Sequence, residues 1–341
     1  MLYDKILGSL VAAACGDAMG AATENLPMDG ILENFGGPVR GFLKPPATAF
    51  ATGSEAGQVT DDFSITYLLA RNIVAAQGKV DRPLVERTLV DWSRLPQYFE
   101  RFAGPSTRAA VLALQGQPQP KRNIPVDNAA KATNGAAMKI SPAGLIHPGD
   151  LDAAIEDAVT ITMVTHDNHL AISGACAVAA AVSRALQPGV SLYDVVQAGF
   201  YGARRGEEIG RQRAHFVGGP SVRRRMDMAV AIGLGSGSLE DKMRDLADLV
   251  GSGLHISEAV PTAFGLLVAA GGDVMETVWA GVNIGYDTDT VATIAGSMAG
   301  ALGGMSAIKG GEEYLAILDR MNDMDIGELA QGLAAIGEAR L

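Results

Sequence analysis

Apolar residues recur at helical spacing along most of the chain, and no convincing set of strands with alternating apolar and polar residues emerges. The Gly- and Pro-rich stretch 26–57 predicts a long irregular connection, and the polar stretches 117–128 and 207–222 predict surface connections. We therefore predict an all-α fold with one domain over residues 1–341. The predicted helices are 2–22, 61–78, 83–95, 105–116, 150–163, 168–187, 190–206, 238–250, 256–270, 273–284, 288–303, 311–322 and 325–338.

Small residues occur at regular spacing in two of these helices. Gly16 and Gly20 form a G-x-x-x-G pair in the first helix, and Gly296 and Gly300 form another in the helix 288–303. This spacing lets two helix backbones approach closely. The chain has 42 glycines and only 5% aromatic residues, which also favours close helix packing. We expect these two helices to lie deep in the molecule.

Charge and cysteine content exclude several classes of protein. A net charge of -11 argues against general binding to nucleic acids or anionic membranes. Cys15 and Cys176 each lie in an Ala-rich apolar stretch, which is typical of buried reduced thiols and not of a zinc site. The apolar stretch 6–15 could pass for a signal-peptide core, but Asp4 beside Lys5 gives it no positive leading region. We expect a cytoplasmic protein.

Two clusters of acids and hydroxyls stand at predicted helix starts. One is Thr60, Asp61 and Asp62 in the stretch GQVTDDFS, and the other is Asp287–Thr290 in the stretch GYDTDT. Either cluster alone is explained as a helix N-cap, because such side chains bind free backbone N–H groups and complement the helix dipole.

Together, the two clusters indicate more than capping. Four acids meeting at one place would repel one another unless a cation neutralised them, and oxygen donors select a hard cation: Mg²⁺, Mn²⁺ or Ca²⁺. A calcium-binding loop is excluded, because the sixth and twelfth positions from Asp287 are Ala292 and Met298. A two-metal site that orients a substrate and activates water is the sharper hypothesis, if the fold brings the clusters together.

Five segments resemble one known family when they are taken in order. They are GSLVAAACGDAMGAATEN, QVTDDFS, TNGAAMKISPAGL, THDNHLAISGA and GVNIGYDTDTVATIAGSMAGALGG. This ordered set resembles the ADP-ribosylglycohydrolases, which include the dinitrogenase-reductase-activating glycohydrolase and the J-type crystallins. The resemblance extends over residues 3–338.

The resemblance implies a compact orthogonal bundle of helices that holds two divalent cations, Mg²⁺ or Mn²⁺, and cleaves the bond at the anomeric ribose carbon of an ADP-ribosyl conjugate. Glu24 matches a glutamate that the family carries on a mobile loop at the metals. The implied metal ligands are Thr60, Asp61, Asp62, Asp287, Asp289 and Thr290. The implied substrate-binding residues are Glu24, Asn134, Gly135, His166, Gly285 and Tyr286.

Glycoside cleavage needs a positioned water and acid–base assistance at an oxocarbenium-like transition state. We therefore expect Asp61 or Asp62 to assist the water and Glu24 to gate or support the site, which makes these three acids the candidate catalytic residues. His166 has a structural alternative as a buried or capping histidine. The Gly-rich turn that opens the stretch 251–261 could cradle a phosphate or could simply link two helices.

Some positions depart from the family pattern. Tyr286 stands where many relatives have Gly, directly before the second cluster, and its ring could reshape the pocket. The family's adenine-stacking aromatic residues have no clear counterpart, and Tyr98, Phe99 and Phe102 are only candidates. Two alternatives therefore stay open. One is a hydrolase of a smaller ribosyl compound such as a nucleoside, and the other is a catalytically silent, crystallin-like binding protein, against which six matching metal-ligand positions argue.

Overall fold

The computed structural model describes residues 1–117 and 127–341, and these residues form α-helices and short 3₁₀ and π turns, with two isolated β-bridges and no strand. The predicted all-α class is confirmed. The α-helices are α1 (Leu2–Gly20), α2 (Met28–Phe35), α3 (Asp61–Ala75), α4 (Arg82–Trp92), α5 (Pro96–Phe102), α6 (Pro105–Leu114), α7 (Ser141–Leu145), α8 (Leu151–Met163), α9 (His169–Ala185), α10 (Leu192–Arg213), α11 (Val222–Leu234), α12 (Leu239–Asp245), α13 (Ile256–Ala269), α14 (Val274–Asn283), α15 (Thr288–Gly303), α16 (Gly311–Asn322) and α17 (Ile326–Glu338).

Helices α1 and α15 pack against each other in antiparallel fashion at the centre of the fold. A Cβ added to Gly300 would overlap the backbone of Gly8, and one added to Gly20 would overlap the backbone of Asp289. Both helices are almost entirely buried. Backbones this close require glycine, which confirms the expectation drawn from the two G-x-x-x-G pairs. The result is that the C-terminal end of α1 lies directly against the first turn of α15.

The antiparallel helices α9 and α10 also pack closely through glycines. A Cβ on Gly202 or Gly206 would overlap atoms of Cys176, and one on Gly210 would crowd His169. Cys176 and Cys15 are both buried free thiols, as expected. Among the described residues, no helix is long and apolar enough to cross a membrane.

The structure corrects the sequence prediction at five places. The stretch 26–57 is not wholly irregular, since it contains α2, which begins after Pro27 and ends at Gly36 in the left-handed conformation. The stretch 207–222 is not a surface connection over its whole length, because α10 continues to Arg213. Helices α5, α7 and α11 were not predicted, although the Ser221 hydroxyl caps α11 by accepting a hydrogen bond from the backbone N–H of Arg224. Most of the predicted connection 117–128 lies outside the described residues.

Candidate active site

The first acidic cluster is held in place by a buried aspartate from α1. Asp17 has no exposed surface, and its carboxylate accepts hydrogen bonds from the backbone N–H of Thr60 at 2.9 Å and of Phe63 at 2.8 Å. It therefore binds free donors at the start of α3, where a carboxylate also complements the helix dipole. The Thr60 side chain caps the same helix through the N–H of Asp62. The predicted N-cap is therefore observed at Thr60, and it does not prevent the cluster from also binding a cation.

The second cluster is fixed against the end of α1. The Thr288 hydroxyl donates to the carbonyl of Gly20 at 3.0 Å and accepts from the Thr23 hydroxyl at 2.9 Å. Asp287 marks the start of α15 but makes no capping hydrogen bond with its side chain. Its Oδ2 instead accepts from Asn134 Nδ2 at 2.6 Å. The carboxylate is thus turned away from the helix backbone and towards other side chains.

The fold brings carboxylates from distant parts of the sequence together. Oxygen atoms of Glu24, Asp287 and Asp289 all lie within 4.8 Å of one another. Asp62 belongs to the same cluster, because its charge acts on Asp289 and the charges of Asp61, Asp17 and Asp287 act on it. These residues come from the turn after α1, the start of α3 and the start of α15.

Burial and mutual repulsion make these acids hard to ionise. Burial, followed by the charges of Asp287 and then Asp61, raises the pKa of Glu24 to about 8. Burial and then the charge of Asp17 raise the pKa of Asp61 to about 8. The pKa values of Asp62 and Asp289 are also raised well above the usual range, chiefly by burial. Such a cluster, ionised at neutral pH, needs positive charge.

The donor set fits a hard divalent cation. Glu24 Oε2 and Asp62 Oδ1 are buried and have no hydrogen-bond partner among the described residues. Buried carboxylate oxygens ordinarily have partners, so these two are free to serve as ligands. All the candidate ligand atoms are carboxylate or hydroxyl oxygens, which are the ligands that Mg²⁺ and Mn²⁺ prefer.

A buried lysine faces the cluster and was not singled out in the sequence. Lys139 is 2% exposed, and its ammonium donates a hydrogen bond to the carbonyl of Gly135. Burial lowers its pKa to about 8, against the opposing effect of the Asp61 and Asp62 charges. The signal available in the sequence was a lone charged residue inside the apolar segment MKISPAGL.

The predicted substrate-binding residues form two groups. Asn134 contacts Asp287 directly, as described, and its backbone N–H donates to the carbonyl of Leu254 at 2.9 Å. His166 lies behind Gly135: the ring is buried, and its two nitrogens are hydrogen-bonded to the hydroxyls of Thr133 at 2.9 Å and Thr165 at 2.6 Å. Burial lowers the pKa of His166 well below its usual value, so the ring is neutral.

Gly285 and Tyr286 form the turn that leads into Asp287. The carbonyl of Gly285 accepts a hydrogen bond from the Ser252 hydroxyl at 2.8 Å. Tyr286 has a φ of 67° and is paired with the loop after Glu24, since its N–H donates to Leu26 at 2.9 Å and its carbonyl accepts from Asn25 at 2.7 Å. The turn and the Glu24 loop therefore hold each other in position.

The candidate adenine-stacking aromatics are largely buried by other side chains. Tyr98 and Phe102 are buried, Phe102 with its ring 6.1 Å from that of Phe50, and Phe99 packs edge-on against Trp92. The structure therefore does not support stacking on Tyr98 or Phe102 in this conformation.

Comparisons with known proteins agree with the fold and the motifs. The model of the ADP-ribosylglycohydrolase family matches residues 1–340. The chain is 32% identical over its whole length to the uncharacterized protein YegU of Escherichia coli (strain K12), 99% of which is covered. It is 27% identical to the ADP-ribosylarginine hydrolase Tri1 of Pseudomonas putida (strain GB-1), with 89% of this chain and 72% of that protein covered. A solved ADP-ribosylglycohydrolase-related protein complex matches with a TM-score of 0.71 at 23% identity, covering 98% of this chain and 99% of that one, which is a likeness of fold.

Proposed function

The chain belongs to the ADP-ribosylglycohydrolase family, and from this premise we propose that it is a cation-dependent hydrolase of the bond at the anomeric ribose carbon of an ADP-ribosyl conjugate. The observation that carries the proposal is the convergence of Glu24, Asp287 and Asp289 within 4.8 Å, with Asp62 acting on the same cluster. Burying a group of acids costs free energy. Acids with strongly raised pKa values are concentrated at functional sites, where that cost is offset by the activity they provide.

The residues that would hold two Mg²⁺ or Mn²⁺ ions are Thr60, Asp61, Asp62, Asp287, Asp289 and Thr290. Such ions orient the oxygens of a substrate and make water a better nucleophile at neutral pH. The unpartnered Oδ1 of Asp62 supports this assignment, and the unpartnered Oε2 of Glu24 is a further free oxygen at the cluster. We propose that two ions bind and that each is Mg²⁺ or Mn²⁺.

The chain's own acids supply the remaining chemistry. Asp61 or Asp62 accepts a proton from the attacking water, and Glu24, on the loop paired with Tyr286, supports the site. Negative charge gathered around the reacting ribose stabilises the positive charge that develops at the anomeric carbon. Asn134 and Gly135, beside Asp287, and the turn of Gly285 and Tyr286 form the proposed substrate contacts, while His166 supports Gly135 from behind.

The direct test is hydrolysis of ADP-ribosyl-arginine with Mg²⁺ or Mn²⁺ and with a chelator. We expect turnover only with the cation. Asp289→Asn should reduce kcat/KM by more than about 100-fold, because loss of a metal ligand costs more than loss of an outer partner. Asp273→Asn is the matched control, since Asp273 caps α14 through the N–H of Glu276 and asparagine caps equally well. An Asp289→Asn variant with full cation-dependent turnover would contradict the proposal.

A second candidate keeps the site and changes the substrate to a smaller ribosyl compound such as a nucleoside. The burial of Tyr98 and Phe102 favours it, because these rings do not offer a platform for a distant adenine. A nucleoside panel assayed beside ADP-ribosyl-arginine separates the two functions. Absence of cation-dependent hydrolysis across both sets would favour a silent, crystallin-like protein.

A further inference from the structure

Tyr286 combines backbone strain with exposure. Its φ of 67° lies in the left-handed region, where a bulky residue is a genuine outlier, yet the residue is 50% exposed. Two backbone hydrogen bonds, to Asn25 and Leu26, hold it there. Glycine would satisfy this geometry without strain. Burial of the ring in the core does not explain the tyrosine, because half of the residue remains in contact with solvent.

The ring has a fixed position. A Cβ added to Gly253 would overlap ring atoms Cδ1 and Cε1 of Tyr286, so the ring packs directly on the backbone of that glycine. Tyr286 thus presents an exposed aromatic surface, and a side chain at position 253 would displace the ring from its place.

This surface adjoins the acidic cluster. Tyr286 directly precedes Asp287 in the sequence. Asn134 joins the two regions, because its side-chain amide donates to Asp287 Oδ2 at 2.6 Å and to the carbonyl of Gly253 at 3.4 Å. The Asp287 carboxylate and the Gly253 backbone on which the ring packs therefore both contact one side chain, that of Asn134.

We propose that Tyr286 is a specificity-determining residue that stacks on a planar aromatic group, such as a nucleobase, of the ribosyl substrate. The proposal rests on the function proposed above and deepens it. Base stacking on an exposed aromatic side chain tolerates any base, because every base has a π-face. The planar group could be the distal base of ADP-ribose or the base that a nucleoside carries on its anomeric carbon, and the two sources predict different ligand dependence.

The experiment is calorimetric titration in Mg²⁺ with ADP-ribose, adenosine and ribose 5-phosphate. Tyr286→Ala should weaken binding of ADP-ribose or adenosine by roughly 5- to 150-fold, the equivalent of one stacked base, and leave ribose 5-phosphate unchanged. Tyr286→Phe should bind as the wild type does. The aromatic ligand that responds identifies the source of the planar group. Tyr193→Ala is the control, since Tyr193 is a similarly exposed ring on α10.

A second variant guards against an indirect effect. Gly253→Ala leaves the ring in the protein but occupies its place, although it also crowds the Glu258 carboxylate, and it should produce the same selective loss. Equal affinities of wild type and Tyr286→Ala for both aromatic ligands would overturn the inference, as would an equal loss for ribose 5-phosphate. If no ADP-ribosyl conjugate is hydrolysed but the selective loss is seen, the proposed function fails and this inference stands. If hydrolysis is observed but binding to Tyr286→Ala is unchanged, the proposed function stands and this inference fails.

Discussion

At the scale of single residues, Asp17 shows how a buried acid can serve the site without joining it. Its carboxylate binds the N–H groups of Thr60 and Phe63, so α1 fixes the start of α3. Burial outweighs these hydrogen bonds and raises the pKa of Asp17 to about 6.

We predict that Asp17→Ala lowers the free energy of unfolding by about 2–4 kcal/mol, because it leaves two buried N–H groups without acceptors. Asp17→Asn keeps one acceptor oxygen and should lose less. Urea denaturation of the three proteins measures the difference. An alanine variant as stable as the wild type would show that α3 does not depend on Asp17.

For Tyr286 we predict a substitution that raises the free energy of unfolding. Replacing it by glycine should raise the free energy of unfolding by about 1 kcal/mol, since the left-handed strain disappears. Tyr193→Gly, in the first turn of α10, should instead lower it by up to about 1 kcal/mol. Thermal unfolding of both variants compares the two. A clear loss of stability in Tyr286→Gly would mean that ring packing outweighs strain.

At the scale of elements, the seam between α1 and α15 decides where the second cluster lies. The close approach of the two helix backbones could be predicted from the spacing of four glycines, Gly16, Gly20, Gly296 and Gly300. The long regular helices were also predicted, with small errors at their ends. Helices α2, α5 and α7 were missed because they have only eight, seven and five residues. Helix α11 was missed because it opens with a run of arginines. The end of α10 was missed because Gly206 and Gly210, which signal a break, are packing contacts in this helix.

Because α1 and α15 pack so closely at this seam, we predict that one added methyl group there lowers stability markedly. Gly300→Ala would place a Cβ against the carbonyl oxygen of Gly8, and we expect it to cost about 1–3 kcal/mol of unfolding free energy from overpacking. Gly327→Ala, on α17, is the matched control: the nearest atom would be 3.6 Å away, so alanine should stabilise by about 0.5–1 kcal/mol. Equal effects of the two substitutions would contradict the proposed role of the seam.

At the scale of the whole molecule, the fold unites residues that are more than two hundred positions apart. The physical reading of the sequence identified both acidic clusters but left open whether they meet, because local pattern carries no information on long-range pairing. The family resemblance supplied that expectation. Neither source pointed to Lys139, whose proximity to Asp61 and Asp62 depends on tertiary packing. We propose that the described helices form one domain, since α1 packs against both α15 and α17.

The carboxylate cluster should make stability depend on pH when no cation is bound. Glu24 and Asp61 have folded pKa values of about 8, above the unfolded values, so the folded state binds more protons. The free energy of unfolding should therefore fall as pH rises from about 4.5 through about 8. Urea denaturation with a chelator measures this fall, and Mn²⁺ should reverse it at high pH. A metal-free protein that gains stability over this range would contradict the account.

The central claim is that the two clusters together hold divalent cations at a ribose-binding site. A crystal structure obtained with Mn²⁺ and ADP-ribose, with anomalous scattering to locate the metal, tests it most directly. We predict anomalous peaks in coordination contact with Asp62 and Asp289, with the ribose beside them. Ordered ADP-ribose without manganese at these carboxylates, or manganese bound elsewhere on the protein, would contradict the account.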